Sequence, residues 1–362
     1  MSIQIYGLGT ATPECSIEQS VAASEAAKRL VHNGGELTSV ISRLYRRTQV
    51  QRRCSVIVEG SNGNGVNVPF YPPAEHAADR GPTTEIRMQR FADEAGPLAK
   101  RSAENALHEA ELSPEEITHL VTVSCTGFYA PGIDRVLVTQ LGLRPDVGRV
   151  QVGFMGCHGS LNGMRVAQSF VEADPNCRVL LSSVELCTLH FYYGSDAEKM
   201  VANALFADGS AALVAGKVGK KNGWRIKACG SFFIPDSADA MTWKIGNHGF
   251  EMTLSPQVPE LIRLHVRAWL DGWLRQHGYG IDQVNSWAIH AGGPRIIQNV
   301  AKALDLPEQT TEVSNEVLGE YGNMSSATIL FVIDQLRKRE AELPCVAIAF
   351  GPGLVAEAVL FE

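Results

Sequence analysis

The segment Gly153-Phe154-Met155-Gly156-Cys157-His158-Gly159-Ser160-Leu161-Asn162-Gly163 constrains this chain more than any other. A cysteine sits among glycines, after an apolar run and ahead of a helical pattern. Leu161, Met164, Ala167 and Val171 recur on one helical face. The spacing predicts a strand, a tight turn and a helix, with Cys157 at or near the helix N-terminus. Unpaired N–H groups and the helix dipole at such an end stabilise a thiolate, and small neighbours admit a substrate to the sulfur. The competing reading is a buried structural cysteine in a strand-to-helix turn.

Strand-like runs alternate with helical patterns along the chain, which predicts an α/β fold. Strands are expected over 120–124, 149–153, 179–184, 211–215, 284–290, 346–350 and 355–361. Helices are expected over 85–111, 160–172 and 259–276, the last with Ile262, Val266, Trp269 and Trp273 on one face. Ser113-Pro114-Glu115-Glu116 reads as a helix start. The stretch 60–83 is dense in Gly, Pro and Asn and reads as a long irregular loop. With 362 residues the chain is too long for one small domain. We place a split at the basic, Gly/Asn-containing turn 217–222, giving halves 1–216 and 217–362.

A net charge of −7 argues against a general nucleic-acid binder. The N-terminus lacks a basic region followed by an apolar core, and no run approaches 18 apolar residues, so no signal peptide or membrane span is expected. Eight cysteines in a chain of this length are no disulfide framework, and reduced thiols in a cytoplasmic protein are expected. With no CxxC and no HExxH, a metal site is not expected.

Two further segments carry chemistry. In Trp287-Ala288-Ile289-His290-Ala291-Gly292-Gly293-Pro294, a histidine ends a strand beside a Gly-Gly-Pro turn, positioned to face a cleft. In Tyr321-Gly322-Asn323-Met324-Ser325-Ser326-Ala327-Thr328, an asparagine precedes an apolar helix, where a plain N-cap is the competing role. Cys, His and Asn in this order also suit a papain-like protease, but the motif around that protease cysteine is absent and Cys157 lies mid-chain. The alternative is carbon–carbon bond formation. A thiolate takes an acyl group from a thioester, and His and Asn stabilise the enolate left when malonate loses carbon dioxide.

The chain resembles the type III polyketide synthases, the chalcone and stilbene synthase-like enzymes of the thiolase superfamily. The matches are Met155-Gly156-Cys157, Ile289-His290-Ala291-Gly292-Gly293-Pro294, Tyr321-Gly322-Asn323-Met324-Ser325-Ser326 and Phe350-Gly351-Pro352-Gly353. The resemblance implies a five-layered αβαβα thiolase-like fold in two pseudo-duplicated halves. It implies a homodimer, a pantetheine tunnel, and acyl-CoA and malonyl-CoA as substrates with no further cofactor. It makes Cys157 the acyl-carrying nucleophile, His290 the residue that activates it as an ion pair and helps malonyl decarboxylation, and Asn323 the residue that shares the oxyanion contact with His290. Phe206 matches a gatekeeper between tunnel and cavity, and Gly351, Pro352 and Gly353 the loop beside it. Arg43 and Arg47 fall where the family grips coenzyme A phosphates, and an ordinary solvated basic face is the other reading.

Several positions depart from the plant pattern. Met252 stands for the second gate phenylalanine, and Ala130 for a methionine that crosses the dimer interface. Cys125, Cys187 and His190 replace cavity threonines, and Val40 replaces a cation. These changes resemble bacterial members that make alkylpyrones or alkylresorcinols. Two rivals stay open from sequence: an initiating ketoacyl-carrier-protein synthase, which condenses once, and a catalytically silent thiolase-fold scaffold.

Overall fold

The computed structural model describes residues 2–30, 34–62, 65–219 and 223–362. Nine strands form one mixed sheet. The first half supplies β1 (Ile3–Ala11), β2 (His119–Ser124), β3 (Gly148–Gly153), β4 (Arg178–Leu186) and β5 (Asp208–Lys217). The second supplies β6 (Arg225–Phe233), a separate hairpin β7 (Met241–Gly246) and β8 (Gly249–Leu254), then β9 (Ser286–Ile289), β10 (Cys345–Gly351) and β11 (Val355–Phe361). The sheet order is β9-β10-β11-β6-β1-β5-β4-β2-β3. Strands β10 and β11 are buried throughout, and β4 and β5 at all but one end residue, which explains their continuous apolar runs.

The two halves repeat one topology. In the first, β2, β4, β5 and β1 lie side by side, with β2–β4 parallel and β5 antiparallel to both its neighbours. In the second, β9, β10, β11 and β6 do the same, with β9–β10 parallel and β11 antiparallel. The first half adds only the outer strand β3. An antiparallel contact of β1 with β6, Ile3 opposite Ile226, joins the halves. The chain crosses between them after β5 ends at Lys217; Lys220–Asn222 of the expected split lie outside the described residues.

Ten helices occur among the described residues: α1 (Gln19–Leu30), α2 (Gly34–Arg47), α3 (Thr84–Ala110), α4 (Ile133–Leu141), α5 (Gly159–Ala173), α6 (Ala197–Leu205), α7 (Val258–Gln276), α8 (Pro294–Leu304), α9 (Glu312–Tyr321) and α10 (Thr328–Lys338). Helix α5 touches β2 and β4 of the first half and β6 and β11 of the second, and α10 likewise reaches both halves. They form a central layer, so α10 is apolar nearly all round: Ile329, Leu330, Phe331, Val332 and Ile333 are all buried. Helix α3 covers the outer face of the first half, and α7 with α8 that of the second, giving five layers. Trp273 of α7 seats on Gly230 of β6, where a Cβ would meet the indole at 2.7 Å.

Two local expectations change. Ser113-Pro114-Glu115-Glu116 makes a single 3₁₀ turn and no longer helix; the Glu116 carboxylate accepts the Ser113 N–H at 3.0 Å, and β2 begins two residues beyond. The loop 60–83 contains a short paired segment, Ser61 opposite Val66, and ends where Thr83 caps α3.

Candidate active site

The Cys157 turn is held by strain and close packing. Gly156 adopts φ 74°, and a Cβ there would lie 2.2 Å from Pro352 Cδ. Phe154, a non-glycine residue, takes φ 61°, and Ser325 opposite takes φ 48°. Each costs of order 1–3 kcal/mol, and such residues cluster at functional sites. Cys157 lies in a 3₁₀ turn, Gly156–His158, immediately before α5.

Burial of the thiol works against the thiolate that its helix-end position favours. Burial pushes it up to about 12, against hydrogen bonds from the Ser325 and Asn323 side chains that pull the other way. Desolvation of the charge outweighs the turn's N–H groups. His290 closes β9, its N–H donating to the Ile348 carbonyl at 2.9 Å. Burial, with His158 nearby as the smaller cause, pushes its imidazole down to about 3. Both ring nitrogens are buried and unpartnered among the described residues. Burial thus disfavours the charged form of both groups.

Asn323 sits beside Phe206 in a backbone bridge: its N–H donates to Leu205 O, and its carbonyl accepts from Ala207 N, both at 2.9 Å. Its Oδ1 is occupied, accepting from Ser325 N at 2.9 Å and Thr328 Oγ1 at 3.4 Å. That leaves the Nδ2 hydrogens for the site. The side chain thus does the capping expected of an asparagine and still presents a donor.

These three residues line a neck of about 30 Å³, together with Phe206, Met252 and Phe350. Leu205, Leu254, Gly292 and Ile296 are shared between the neck and an outer cavity of about 690 Å³ that Arg47 also lines. Ala202, Phe206 and Met252 are shared with an inner chamber of about 380 Å³, whose walls include Cys187 and His190. Phe206 and Met252 therefore stand at the partition the sequence assigned to them.

Several of the expected site residues also make structural contacts. Cys125 supplies its sulfur to the Gly156 N–H at 3.0 Å, so it braces the nucleophile turn. His190 accepts from Phe250 N at Nδ1, 2.9 Å, and donates from Nε2 to Thr126 O, 2.8 Å, so it is a neutral strut. Gly351 packs on His158 and Pro352 on Gly156, so the Gly351-Pro352-Gly353 loop shapes the turn from behind, and Phe350 supplies the wall. Ala130 is exposed in the single chain. Arg43 is exposed and is not among the residues lining the outer cavity; only Arg47, one turn on, faces it.

Sequence reasoning missed Glu185, His158 and Ser325. Glu185 is fully buried and accepts from Cys125 N, Thr126 Oγ1 and Ser326 Oγ, tying both loops that flank the thiol. An acid inside an apolar strand run was the available signal. His158 donates from Nδ1 to Asn162 Oδ1 at 2.7 Å, and its buried Nε2 has no partner among the described residues.

Two outcomes follow from this geometry. A methyl at Gly351 would meet His158 Nε2 at 2.5 Å and Met155 O at 2.6 Å. Gly351→Ala should lower turnover about 10-fold by shifting the nucleophile turn, measured as the acylation rate of Cys157. The second concerns acid. His190 and His290 are held at about 3, below the ordinary 6.5, so the unfolded chain binds more protons below 6.5. Stability should fall as pH drops from 6.5 toward 3. Asp208, raised to about 6, opposes this between about 4 and 6, and Glu185 and Asp334, also raised by burial, act in the same direction. Chemical denaturation of His190→Gln should show a slope shallower by about one proton, ~1.4 kcal/mol per pH unit; an unchanged slope would contradict the assignment.

A thiol, an imidazole and an amide donor at the neck between an open cavity and an inner chamber define an acyl-transfer enzyme of the thiolase fold. The profile of the chalcone and stilbene synthases, N-terminal domain, matches residues 2–218, and that of their C-terminal domain matches residues 225–362. The chain belongs to this family, the type III polyketide synthases. It is 32% identical over 367 residues to the alpha-pyrone synthesis polyketide synthase-like Pks18 of Mycobacterium tuberculosis, covering 99% of this chain and 90% of that protein. It is 36% identical over 272 residues to a 1,3,6,8-tetrahydroxynaphthalene synthase of Streptomyces peucetius, covering 73% and 72%. The crystal structure of PKS-I from the brown alga Ectocarpus siliculosus superposes with a TM-score of 0.92 at 31% identity, covering 99% of this chain and 98% of that one.

Proposed function

We propose that this enzyme loads an acyl group from an acyl-CoA onto Cys157, extends it with several malonyl-CoA units and closes the product to a pyrone, resorcinol or related aromatic ring. The observation that carries this reading is the neck: Cys157, His290 and Asn323 share it between an outer cavity and an inner chamber. A coenzyme A arm enters from one side while the growing chain occupies the other.

Burial of both groups sets the order of proton movement. The Cys157 proton passes to a His290 nitrogen as sulfur attacks the starter carbonyl; the S–C bond forms, the charge moves to the carbonyl oxygen as an oxyanion, and no free thiolate accumulates. The leaving coenzyme A thiolate takes that proton, and His290 returns to neutral. A neutral imidazole keeps one N–H donor. With the Asn323 amide it polarises the malonyl thioester oxygen as the carboxylate carbon leaves as carbon dioxide. The enolate carbon then attacks the Cys157 thioester and expels the cysteine sulfur. These steps need coenzyme A thioesters and no metal or organic cofactor.

Aliphatic Ile17, Ala22, Ala26, Val58 and Val68 line part of the inner chamber beside the charged Glu25, Arg29, Lys199 and Glu251, so an alkyl starter would lie along its aliphatic side. The relatives named for alpha-pyrone and tetrahydroxynaphthalene synthesis support a pyrone or related ring. A homodimer through the β3 edge fits the exposed apolar Phe128, Val150 and Met155 there. All eight cysteines are free, in keeping with a reducing cytoplasm, and no described helix is long and apolar enough to cross a membrane. The test is mass spectrometry of products from labelled malonyl-CoA and a panel of acyl-CoA starters. Cyclic products with several malonate units support the reading. A single condensation, or none until carrier protein is added, overturns it.

A further inference from the structure

We propose that Arg53 is a positioning residue of the reaction: its buried guanidinium holds the backbone turn that carries Phe206 and, through that turn, sets Asn323. The inference rests on the polyketide reading above and assigns a residue to its neck. Arg53 lies in a short strand, Arg52–Cys54, that follows α2 and pairs with Ser16–Glu18. It is 7% exposed and lines the inner chamber. Among the described residues no carboxylate pairs with it, whereas Arg29 and Lys199 of the same chamber pair with Glu25 and Glu251. A buried cation without an acid is costly unless other dipoles replace its water.

The dipoles that do so are backbone carbonyls of the gate. Nη1 donates to Asn203 O and to Phe206 O, both at 2.6 Å. The Tyr45 ring centre lies 5.5 Å from the guanidinium carbon. Nε is buried with no partner among the described residues, so a polar group is left unpaired to keep a guanidinium here.

Helix α6 is the wall between the two cavities. Glu198, Val201 and Leu205 line the outer one, and Lys199, Ala202 and Asn203 the inner chamber. The last carbonyls of a helix have no partner within it. Here Arg53 takes those of Asn203 and Phe206, Gln19 Nε2 takes Ala204 O at 2.7 Å, and the Asn323 N–H takes Leu205 O at 2.9 Å. A cation at this end also meets the negative pole of the helix dipole. Asn323 bridges Leu205 and Ala207, the residues on either side of Phe206. A Cβ added at Gly322 would lie 3.5 Å from Arg53 Cβ. One side chain therefore braces both the gate turn and the turn that presents the amide donor.

The test uses the whole chain carrying Arg53→Lys or Arg53→Ala. Lysine keeps the charge and loses the rigid plane of donors. In Arg53→Lys, kcat for malonyl-CoA decarboxylation should fall about 10-fold with KM changed less than about 2-fold, as for a misplaced donor with binding intact. Alkylation of Cys157 by iodoacetamide, followed by mass spectrometry, should keep its rate. In Arg53→Ala, millimolar guanidinium should restore most of the lost kcat, and urea at the same concentration none. Arg52→Ala, which removes an exposed partner of Glu320, should leave every readout unchanged. Equal loss of decarboxylation and alkylation, or no rescue in a variant whose melt is retained, overturns the assignment. Should Arg53→Ala not fold, a crystal structure of Arg53→Lys decides: Phe206 and Asn323 displaced support the role, and both unmoved overturn it. A wild-type enzyme that neither decarboxylates malonyl-CoA nor accepts an acyl group sinks the polyketide reading instead, and the same crystal structure still tests Arg53.

Discussion

Replacing Cys157 by alanine should lower polyketide formation at least about 10³-fold while malonyl-CoA decarboxylation continues. The substitution removes the atom that carries the acyl chain and leaves His290 and Asn323 in the neck. Because decarboxylation needs only the two donors, the two activities separate. Burial disfavours a charge on the removed thiol, and the variant's fold should survive. Labelled carbon dioxide release beside product mass spectrometry checks both arms. Loss of both activities together would mean that the thiol also shapes the donor pair. Persistent product would remove Cys157 as the carrier.

Asn323→Asp is the second large effect, expected to reduce decarboxylation about 10²–10³-fold. Asparagine offers an acceptor and a donor, and the structure divides them. Oδ1 caps Ser325 N, and Nδ2 is left for substrate oxygen. Aspartate keeps the acceptor and so retains the loop, but it replaces the donor by a buried anion. That anion repels the developing enolate. Malonyl-CoA decarboxylation and a thermal melt, run together, distinguish the roles. Lost activity with a retained melt assigns Asn323 to the oxyanion contact. If activity is retained, the plain capping reading of this residue is the correct one.

The reach of the sequence can be traced through individual residues. Val355–Phe361 is a strand with the bounds its apolar run predicts, because a strand buried on both faces leaves an unbroken signature. The Cys157 turn was legible because glycines and a following helical stripe leave few conformations. The hairpin Met241–Leu254 and helices α1 and α2 left weaker patterns, since their faces pack on neighbours distant in sequence.

The sequence alone determined the α/β alternation and the three residue types that perform the chemistry, since turn glycines and apolar periodicity are local properties. Tertiary structure decided their electrical state and access. Burial disfavours the charged forms of Cys157 and His290, against what the helix end alone favours. Folding also set Arg47 on the wall of the outer cavity and left Arg43 off it. Desolvation and facing walls arise from segments far apart in the chain, and no local pattern encodes them.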